Sequence, residues 1–212
     1  MTRPLSAWRE RVEFERRLVH MGGALYPVPY LLGWLSWGET VAVLLVGVTV
    51  AGVLELLRLT GNAGPLSPLY AALVRGYEAD GVAGYALYQV SMTGVALAAT
   101  TSLASPTLAI PAMWMLALGD PVSGALGNNG PREPKRPVVW VVMAVVCVAL
   151  AVPFTISAFG TGVGVAVAAA GAVGATVADG LPPVIRGLAV DDNLTIPPAA
   201  LGGMLLVVAI VG

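Results

Sequence analysis

Apolar segments long enough to cross a lipid bilayer recur along almost the whole chain of 212 residues. A membrane-spanning helix needs about 20 mostly apolar residues. Seven segments approach that length: 22–37, 40–59, 82–102, 105–119, 137–158, 160–178 and 197–211. Charged residues make up only 11% of the chain, against roughly 25% in soluble domains. The sequence therefore predicts an all-α, polytopic membrane protein of about seven transmembrane helices, forming a single domain over residues 1–212.

The distribution of basic residues predicts how this protein sits in the membrane. With seven spans, one side receives the N-terminus and the loops near 60–81, 120–136 and 179–196. All eleven Lys and Arg residues fall on or beside that side, while the opposite side shows only Glu39. Cytoplasmic loops carry an excess of Lys and Arg. We therefore expect a cytoplasmic N-terminus and a functional site at the cytoplasmic face.

The first 20 residues are expected to form a helix lying at the membrane interface. Apolar residues recur there at helical spacing with charges between them: Leu5, Trp8, Val12 and Val19. This pattern is typical of interfacial amphipathic helices. The net charge of the whole chain is −1, which gives no reason to expect a nucleic-acid partner.

The most distinctive motif is LGDPVSGALGNNG at residues 118–130, which follows the fourth apolar segment. A carboxylate such as Asp120 is costly at membrane depth, so it usually has a function. The glycines that follow let backbone approach a ligand closely, and the basic residues after them can meet phosphate. These basic residues are Arg132, Lys135 and Arg136. The motif favours a membrane enzyme that handles a nucleotide and a metal ion.

Further polar clusters fall on the same predicted face. Glu13, Arg16, Arg17 and His20 share one helix face, where they would clamp phosphate or reach lipid head groups. A later acidic cluster, Asp179, Asp191, Asp192 and Asn193, offers oxygen ligands of the kind that Mg²⁺ prefers. Arg75 and Glu78 stand at the entry to the third span. Glu55 and Arg58, three residues apart, favour a structural ion pair.

Two features leave alternatives open. Polar residues continue inside the third span: Tyr85, Tyr88, Gln89, Ser91 and Thr93. They would either line a route for a polar lipid head group or form hydrogen bonds between helices. The glycines of the sixth span favour close helix packing, within one chain or in a homodimer.

These motifs, in this order, resemble the family of CTP-dependent polyprenol and lipid-alcohol kinases. That family includes dolichol kinase, phytol kinase and the yeast-type diacylglycerol kinase, and is distantly related to the CDP-lipid-forming cytidylyltransferases. The resemblance covers about residues 13–197. It rests on the basic pair before a histidine (16–20), the R-x-x-E segment (75–78), the Gly-Asp motif (118–130) and the D-N-L-x-I-P motif (192–197).

The chain also departs from the family pattern. The family usually follows its Gly-Asp motif with K-(S/T)-x-E-G-S, whereas apolar residues come directly after Lys135-Arg136-Pro137 here. The family tends to place a glutamate before alanine in the sixth span. Asp179 follows Ala178 at the corresponding place, which makes it a candidate substitute.

The resemblance implies Mg²⁺-assisted transfer of the γ-phosphoryl group of CTP to the hydroxyl of a membrane-embedded alcohol, most simply a dolichol- or polyprenol-like isoprenoid. It implies catalytic roles for Asp120, Arg17 and Asp192, with Mg²⁺ held by Asp120, Asp192 and Asn193. Nucleotide and phosphate would be bound by Arg16, Arg17, His20, Gly124, Gly127, Gly130 and Lys135. Arg75 and Glu78 would belong to the acceptor site.

Three other functions fit parts of the sequence. A cytidylyltransferase would use similar groups to form a CDP-lipid and release pyrophosphate. A transporter would use the buried ionisable residues as an ion path, although such sites usually lie near the midplane between repeated halves. A membrane scaffold would account for the missing Lys-Ser-x-Glu-Gly-Ser pattern.

Overall fold

The computed structural model describes residues 14–127, 133–181, 184–185 and 188–211. Within these ranges the protein is α-helical, and four helices are long and apolar enough to span a membrane: Trp37–Leu59, Pro106–Leu126, Pro137–Gly180 and Asp192–Val211. The predicted class, a helical membrane protein, is confirmed. Most of the predicted interfacial helix, together with Gly130, Arg132 and Arg186, lies outside the described residues.

The helices are α1 (Phe14–Gly22), α2 (Val28–Leu31), α3 (Trp37–Leu59), α4 (Ser67–Leu73), α5 (Gly84–Ala98), α6 (Pro106–Trp114), α7 (Asp120–Leu126), α8 (Pro137–Gly180) and α9 (Asp192–Val211). Short 3₁₀ turns cover Gly23–Leu25, Gly64–Leu66 and Gly76–Glu78, and a π-helical turn over Met115–Gly119 joins α6 to α7. Strands β1 (Val184–Ile185) and β2 (Leu188–Ala189) form an antiparallel pair before α9.

Helix α8 is a hairpin of two arms, residues 137–159 and 161–180, and not one straight rod. A straight helix of 44 residues would be about 66 Å long, yet the backbone N–H of Lys135 donates to the Gly180 carbonyl over 3.0 Å. The chain reverses at Gly160, whose φ of 75° suits glycine alone at little cost. The two arms match the helices predicted over 137–158 and 160–178.

The prediction of one continuous helix over 22–37 is wrong. The segment contains a 3₁₀ turn, the four-residue helix α2 and a reversal at Gly33, whose φ is 70°. Pro27 and Pro29 lack the N–H groups that a continuous helix needs. The segment nevertheless runs beside α5. The Tyr88 hydroxyl donates to the carbonyl of His20, and the Trp37 indole N–H donates to the carbonyl of Ala96. Tyr88 and Ala96 both lie on α5, about 12 Å apart along its axis.

The described part of the motif at 118–130, residues 118–127, is largely helical and not the phosphate loop that was expected. The chain stays helical from Pro106 through Leu126, so Asp120 and Gly124 stand on a helix, and the non-helical segment begins at Gly127. Two features allow this continuation. The π turn joins α6 to α7, and Pro121 lies in the first turn of α7, where a proline is tolerated. Asp192 and Asn193 likewise open α9 and do not lie in a loop.

Small residues bring the second arm of α8 into close contact with its neighbours. A Cβ at Gly164 would lie 2.6 Å from the backbone of Ile156 in the first arm. A Cβ at Gly171 would lie 2.6 Å from Met204 on α9, and Gly174 and Gly203 also lie against backbone across this contact. The predicted packing role of the glycines is therefore confirmed within the chain. This packing fixes the end of α8 beside the start of α9.

Candidate functional site

Three carboxylates from distant parts of the sequence meet at one end of the helical bundle. Asp120 begins α7, Asp179 stands near the end of α8, and Asp192 begins α9. One carboxylate oxygen from each lies within 4.8 Å of the others. We call these three residues the aspartate cluster. Asp179 is 3% exposed, so the cluster reaches from the protein interior to its partly exposed edge.

Lys135 places its ammonium group against this cluster. Its Nζ lies 2.5 Å from Asp179 Oδ1, 3.0 Å from Ser123 Oγ and 3.8 Å from Asp120 Oδ1. Burial disfavours the ammonium charge, but the carboxylates of Asp120 and Asp179 outweigh that effect and raise the pKa of Lys135. The ammonium is therefore charged at neutral pH. The hairpin of α8 accounts for this position, because it brings the segment before the first arm next to the end of the second.

The Asp192 carboxylate lacks a comparable partner. Among the described residues it has neither a hydrogen bond nor an ion pair within 4 Å, although its residue is only partly exposed. Carboxylates this close repel one another unless a positive charge lies between them. Among the described residues, the carboxylates of the cluster therefore outnumber the cationic groups within 4 Å of them, and a divalent cation would neutralise the excess charge.

Ser123 links the two deepest members of the site. Its hydroxyl lies 3.1 and 3.0 Å from the two oxygens of Asp179, and it accepts a hydrogen bond from Lys135. The sequence motifs give Ser123 no role, and they suggest Asp179 only as a member of the later acidic cluster and as a substitute for the family's glutamate. Ser123 follows Asp120 by three residues, so helical spacing was the signal that could have identified it.

His20, the histidine of the basic-pair motif, lies beside Asp120. Its Nε2 is 3.0 Å from the Leu116 carbonyl and 3.5 Å from Asp120 Oδ2, and its ring packs edge-on against Tyr88. Burial lowers the pKa of His20 below its ordinary value, although the Asp120 carboxylate opposes that shift. The imidazole is therefore neutral at pH 7, and Nε2 carries the hydrogen because a carbonyl can only accept. The hydrogen bond from Nε2 to the Leu116 carbonyl therefore holds the imidazole ring in a fixed orientation.

The two arginines of the same motif have different positions. Arg17 donates to the Gly124 carbonyl over 2.7 Å, which ties α1 to α7. Arg16 lines a cavity beside the site and is close enough to Asp120 to interact with it electrostatically, as is Arg75. Arg136 caps the end of α7 by donating to the Leu126 carbonyl over 2.7 Å. Gly127 ends α7, and Gly130 lies outside the described residues.

Glu78 and Asn193 form a second polar group next to the aspartate cluster. Glu78 accepts from the backbone N–H of Arg75 over 2.9 Å, and the Asn193 side chain donates to Asp191 over 2.5 Å. Glu78 Oε1 and Asn193 Oδ1 are buried without a hydrogen-bond partner among the described residues. Burial raises the pKa of Glu78, partly offset by its contacts with Arg75. Arg75 and Glu78, the residues expected at the acceptor site, lie with their closest charged atoms 4.0 Å apart.

Glu55 and Arg58 form the predicted ion pair within a closed network. Arg58 donates to both oxygens of Glu55 over 3.1 and 2.6 Å and also to the carbonyls of Ala79 and Gly81. Glu55 further accepts from the Ala83 N–H over 2.8 Å and from the Tyr85 hydroxyl over 2.6 Å. We call Glu55, Arg58 and Tyr85 the Glu55 cluster. Its polar groups are matched inside the protein, which marks it as structural.

A cavity of about 420 Å³ lies between α1, α3 and α5. Its lining includes His20, which contacts Asp120, and Asn193, which follows Asp192 in sequence. Its apolar wall comes mainly from α3 and α4, through Val50, Ala51, Leu54 and Leu73. Its polar groups are Arg16, His20, Tyr26, Tyr85, Tyr88, Gln89 and Asn193. Of the polar residues noted in the third span, Tyr85, Tyr88 and Gln89 line this cavity. Ser91 and Thr93 instead donate to backbone carbonyls of α9 and α3.

The chain matches no protein-family model, no curated protein and no solved structure. The sequence motifs and the geometry of this site are therefore what indicate its function.

Proposed function

We propose that this protein is a membrane-embedded kinase that transfers the γ-phosphoryl group of CTP to the hydroxyl of a lipid alcohol. The observation that carries the proposal is the aspartate cluster, in which Asp192 is unpaired among the described residues, next to a largely apolar cavity. The choice of CTP, and of an isoprenoid or glycerolipid alcohol as acceptor, follows from the resemblance of the motifs.

The donor set suits Mg²⁺. Three carboxylates within 4.8 Å supply hard oxygen ligands, and Mg²⁺ is usually held by one or two carboxylates plus the phosphates of the substrate. Asp120 and Asp192 are the best-placed ligands, because Asp179 is already paired with Lys135 and Ser123. Asn193 would need to turn its unpartnered Oδ1 toward the ion. A bound Mg²⁺ would neutralise charge on the nucleotide phosphates.

The chain's own residues would then align the reactants. Phosphoryl transfer depends mainly on positioning and on stabilising the charge spread over the transferred group. Lys135, held against Asp179, and Arg16, at the wall of the cavity, bring positive charge to that group. Arg17 and His20 bond to backbone carbonyls of the π turn and α7, so their role in this proposal is to position α1 over the site.

The cavity would hold the part of the acceptor next to its hydroxyl. Its volume of about 420 Å³ is within the range of about 300–1,000 Å³ typical of small-ligand sites. A long hydrocarbon tail would extend from it into the bilayer. The alcohol would lie at the polar end, near Gly84 and Asn193.

We also propose that the chain crosses the membrane seven times, with a cytoplasmic N-terminus and the site at the cytoplasmic face. The broken segment at 22–37 and the short helix α5 would then each cross alongside the longer helices. The support is that every residue of the aspartate cluster stands at one end of the bundle, the side on which the basic residues gather.

The test is a transfer assay on purified protein in lipid nanodiscs with Mg²⁺ and a panel of lipid alcohols. We expect label from γ-labelled CTP to enter the lipid phase, with CDP as the second product. With lipid phosphates in place of the alcohols, label entering the lipid phase only from α-labelled CTP, with pyrophosphate released from the CTP, would identify a cytidylyltransferase instead. If neither label enters any lipid, the protein is not a lipid kinase, and ion flux in proteoliposomes would then test the transporter alternative.

A further inference from the structure

The cavity contains a polar niche on its membrane side, formed by Tyr26, Gly47 and Gln89. Gln89 lies five residues beyond Gly84 on α5, so it stands about 7.5 Å deeper along the helix than the polar end of the cavity. Gly47 faces it from α3. The wall that α3 contributes between the two ends is apolar and includes Val50 and Ala51. We call these three residues the tail niche.

The hydrogen-bonding groups of the tail niche have no partners within the described part of the chain. Gln89 is 9% exposed, and neither its amide nor the Tyr26 hydroxyl takes part in a hydrogen bond with a described residue. Most buried polar groups in proteins are hydrogen-bonded, and a group left without a partner costs free energy. An amide and a hydroxyl facing a cavity at this depth therefore point to a ligand with a polar atom.

Gly47 makes the space for these groups. A Cβ at this position would overlap Nε2 of Gln89 and would lie 3.4 Å from the Tyr26 hydroxyl oxygen. The missing side chain thus allows the Gln89 amide to lie against α3. Any residue larger than glycine would displace the amide.

We propose that the tail niche binds an ester carbonyl oxygen in the tail of the lipid alcohol, and so selects alcohols of the glycerolipid type over pure hydrocarbon alcohols. The amide N–H₂ of Gln89 and the hydroxyl of Tyr26 are donors, and a carbonyl oxygen accepts two hydrogen bonds. The 7.5 Å offset corresponds to about six extended single bonds, which is the separation of hydroxyl and carbonyl oxygens in a glycerol ester. A hydrocarbon tail would leave both donors unpaired. The inference depends on the proposed function only for the placement of the hydroxyl.

The test compares two probe alcohols of equal length, the monopalmitate of trimethylene glycol and eicosanol. The first carries a carbonyl about six bonds from its hydroxyl, and the second carries none. Binding is measured without nucleotide, as displacement of a fluorescent fatty alcohol from the full chain in nanodiscs. We expect the ester to bind roughly 5- to 100-fold more tightly, the range for leaving a buried polar group unpaired.

Two variants should remove that preference. Gln89→Met deletes the amide at similar volume, and Gly47→Ala displaces it while keeping every polar group. The ratio of the two dissociation constants should fall to near one in both. Thr49→Val is the matched control, because Thr49 lies on α3 near the same depth but bonds to the Leu45 carbonyl outside the cavity lining. It should keep the wild-type ratio.

The outcomes separate this inference from the proposed function. Equal binding of both alcohols by the wild type, no binding of either, or an unchanged ratio in Gln89→Met would overturn the tail niche, even if both alcohols are phosphorylated. A preference that Gln89→Met removes would establish the niche, even if neither alcohol is phosphorylated and the kinase proposal fails.

Discussion

Two charged clusters at the same end of the bundle differ in how their charges are matched. In the Glu55 cluster, the carboxylate of Glu55 meets the guanidinium of Arg58, a backbone N–H and a tyrosine hydroxyl. In the aspartate cluster, three carboxylates gather around the ammonium of Lys135, and Asp192 is left unpaired among the described residues. The first cluster is complete without a ligand, and the second is not. Charge matching, more than depth or composition, therefore distinguishes a structural cluster from a candidate active site.

The largest effect on stability should come from Lys135→Met. The change leaves Asp179 buried without its counter-ion, and breaking a buried pair costs about 3–5 kcal/mol. Lys135→Met combined with Asp179→Asn should recover more than half of that loss, because no unpaired charge then remains. Denaturant unfolding in mixed micelles measures both. A double variant no more stable than Lys135→Met alone would show that this pair is not what holds the site together.

A direct contrast between the clusters comes from neutralising one carboxylate in each. Glu55→Gln should lower the free energy of unfolding by about 1.5–3 kcal/mol, because it removes a charged hydrogen-bond acceptor. Asp192→Asn should leave it unchanged or raise it by up to about 1 kcal/mol, because it relieves repulsion between carboxylates. Both are measured in EDTA, so that no divalent ion occupies the cluster. Destabilisation by Asp192→Asn as large as that by Glu55→Gln would remove the distinction.

The hairpin of α8 brings Asp179 to the aspartate cluster and carries no residue of the Glu55 cluster. Gly164→Ala should destabilise the protein by about 1–3 kcal/mol, because the new methyl group meets the backbone of Ile156 and has no room to relax. Gly162→Ala is the matched control, since nothing lies within 4 Å of its Cβ, and it should change stability by less than about 0.5 kcal/mol. Thermal unfolding compares the two. Equal effects would contradict the close contact between the arms.

The smallest expected effect is the contribution of His20 to the pH dependence of the free energy of unfolding. Burial lowers the pKa of His20 in the folded protein. Below about pH 6.5, the ordinary pKa of a histidine side chain, the unfolded chain therefore binds more protons than the folded protein does. Stability should therefore decline on acidification from pH 7 to 5.5, by less than about 1.4 kcal/mol per pH unit. The raised pKa of Glu78 acts in the opposite direction, so the measurement is a difference between wild type and His20→Gln. A variant with the same or a steeper decline would contradict a neutral, buried His20.

The sequence predicts the helical membrane class and much of the site, because both depend on local patterns. Long apolar runs marked the helices, and the cost of a charge at membrane depth singled out Asp120. The continuous helix expected over 22–37 failed because two prolines and Gly33 interrupt an apolar run that hydropathy alone treats as uniform. The loop expected at Gly124 failed because a π turn carries the helix past Asp120.

Long-range contacts explain the rest of what the sequence could not show. Asp179 joins the site because Gly160 reverses α8, and no local pattern states that residue 135 will lie beside residue 180. The cavity that gives Gln89 and Tyr26 a shared surface likewise depends on how separate helices pack.

The measurement that tests the central claim most directly is phosphoryl transfer by Asp120→Asn and Glu55→Gln side by side, each normalised to folded protein. We expect label from γ-labelled CTP to enter lipid alcohol with the wild type and at a similar rate with Glu55→Gln, even though that variant is less stable. Asp120→Asn should lose roughly 100- to 1,000-fold or more, the scale seen when one group that stabilises transition-state charge is removed. Transfer that persists in Asp120→Asn, or that is lost equally in both variants, would contradict the assignment of the aspartate cluster as the active site.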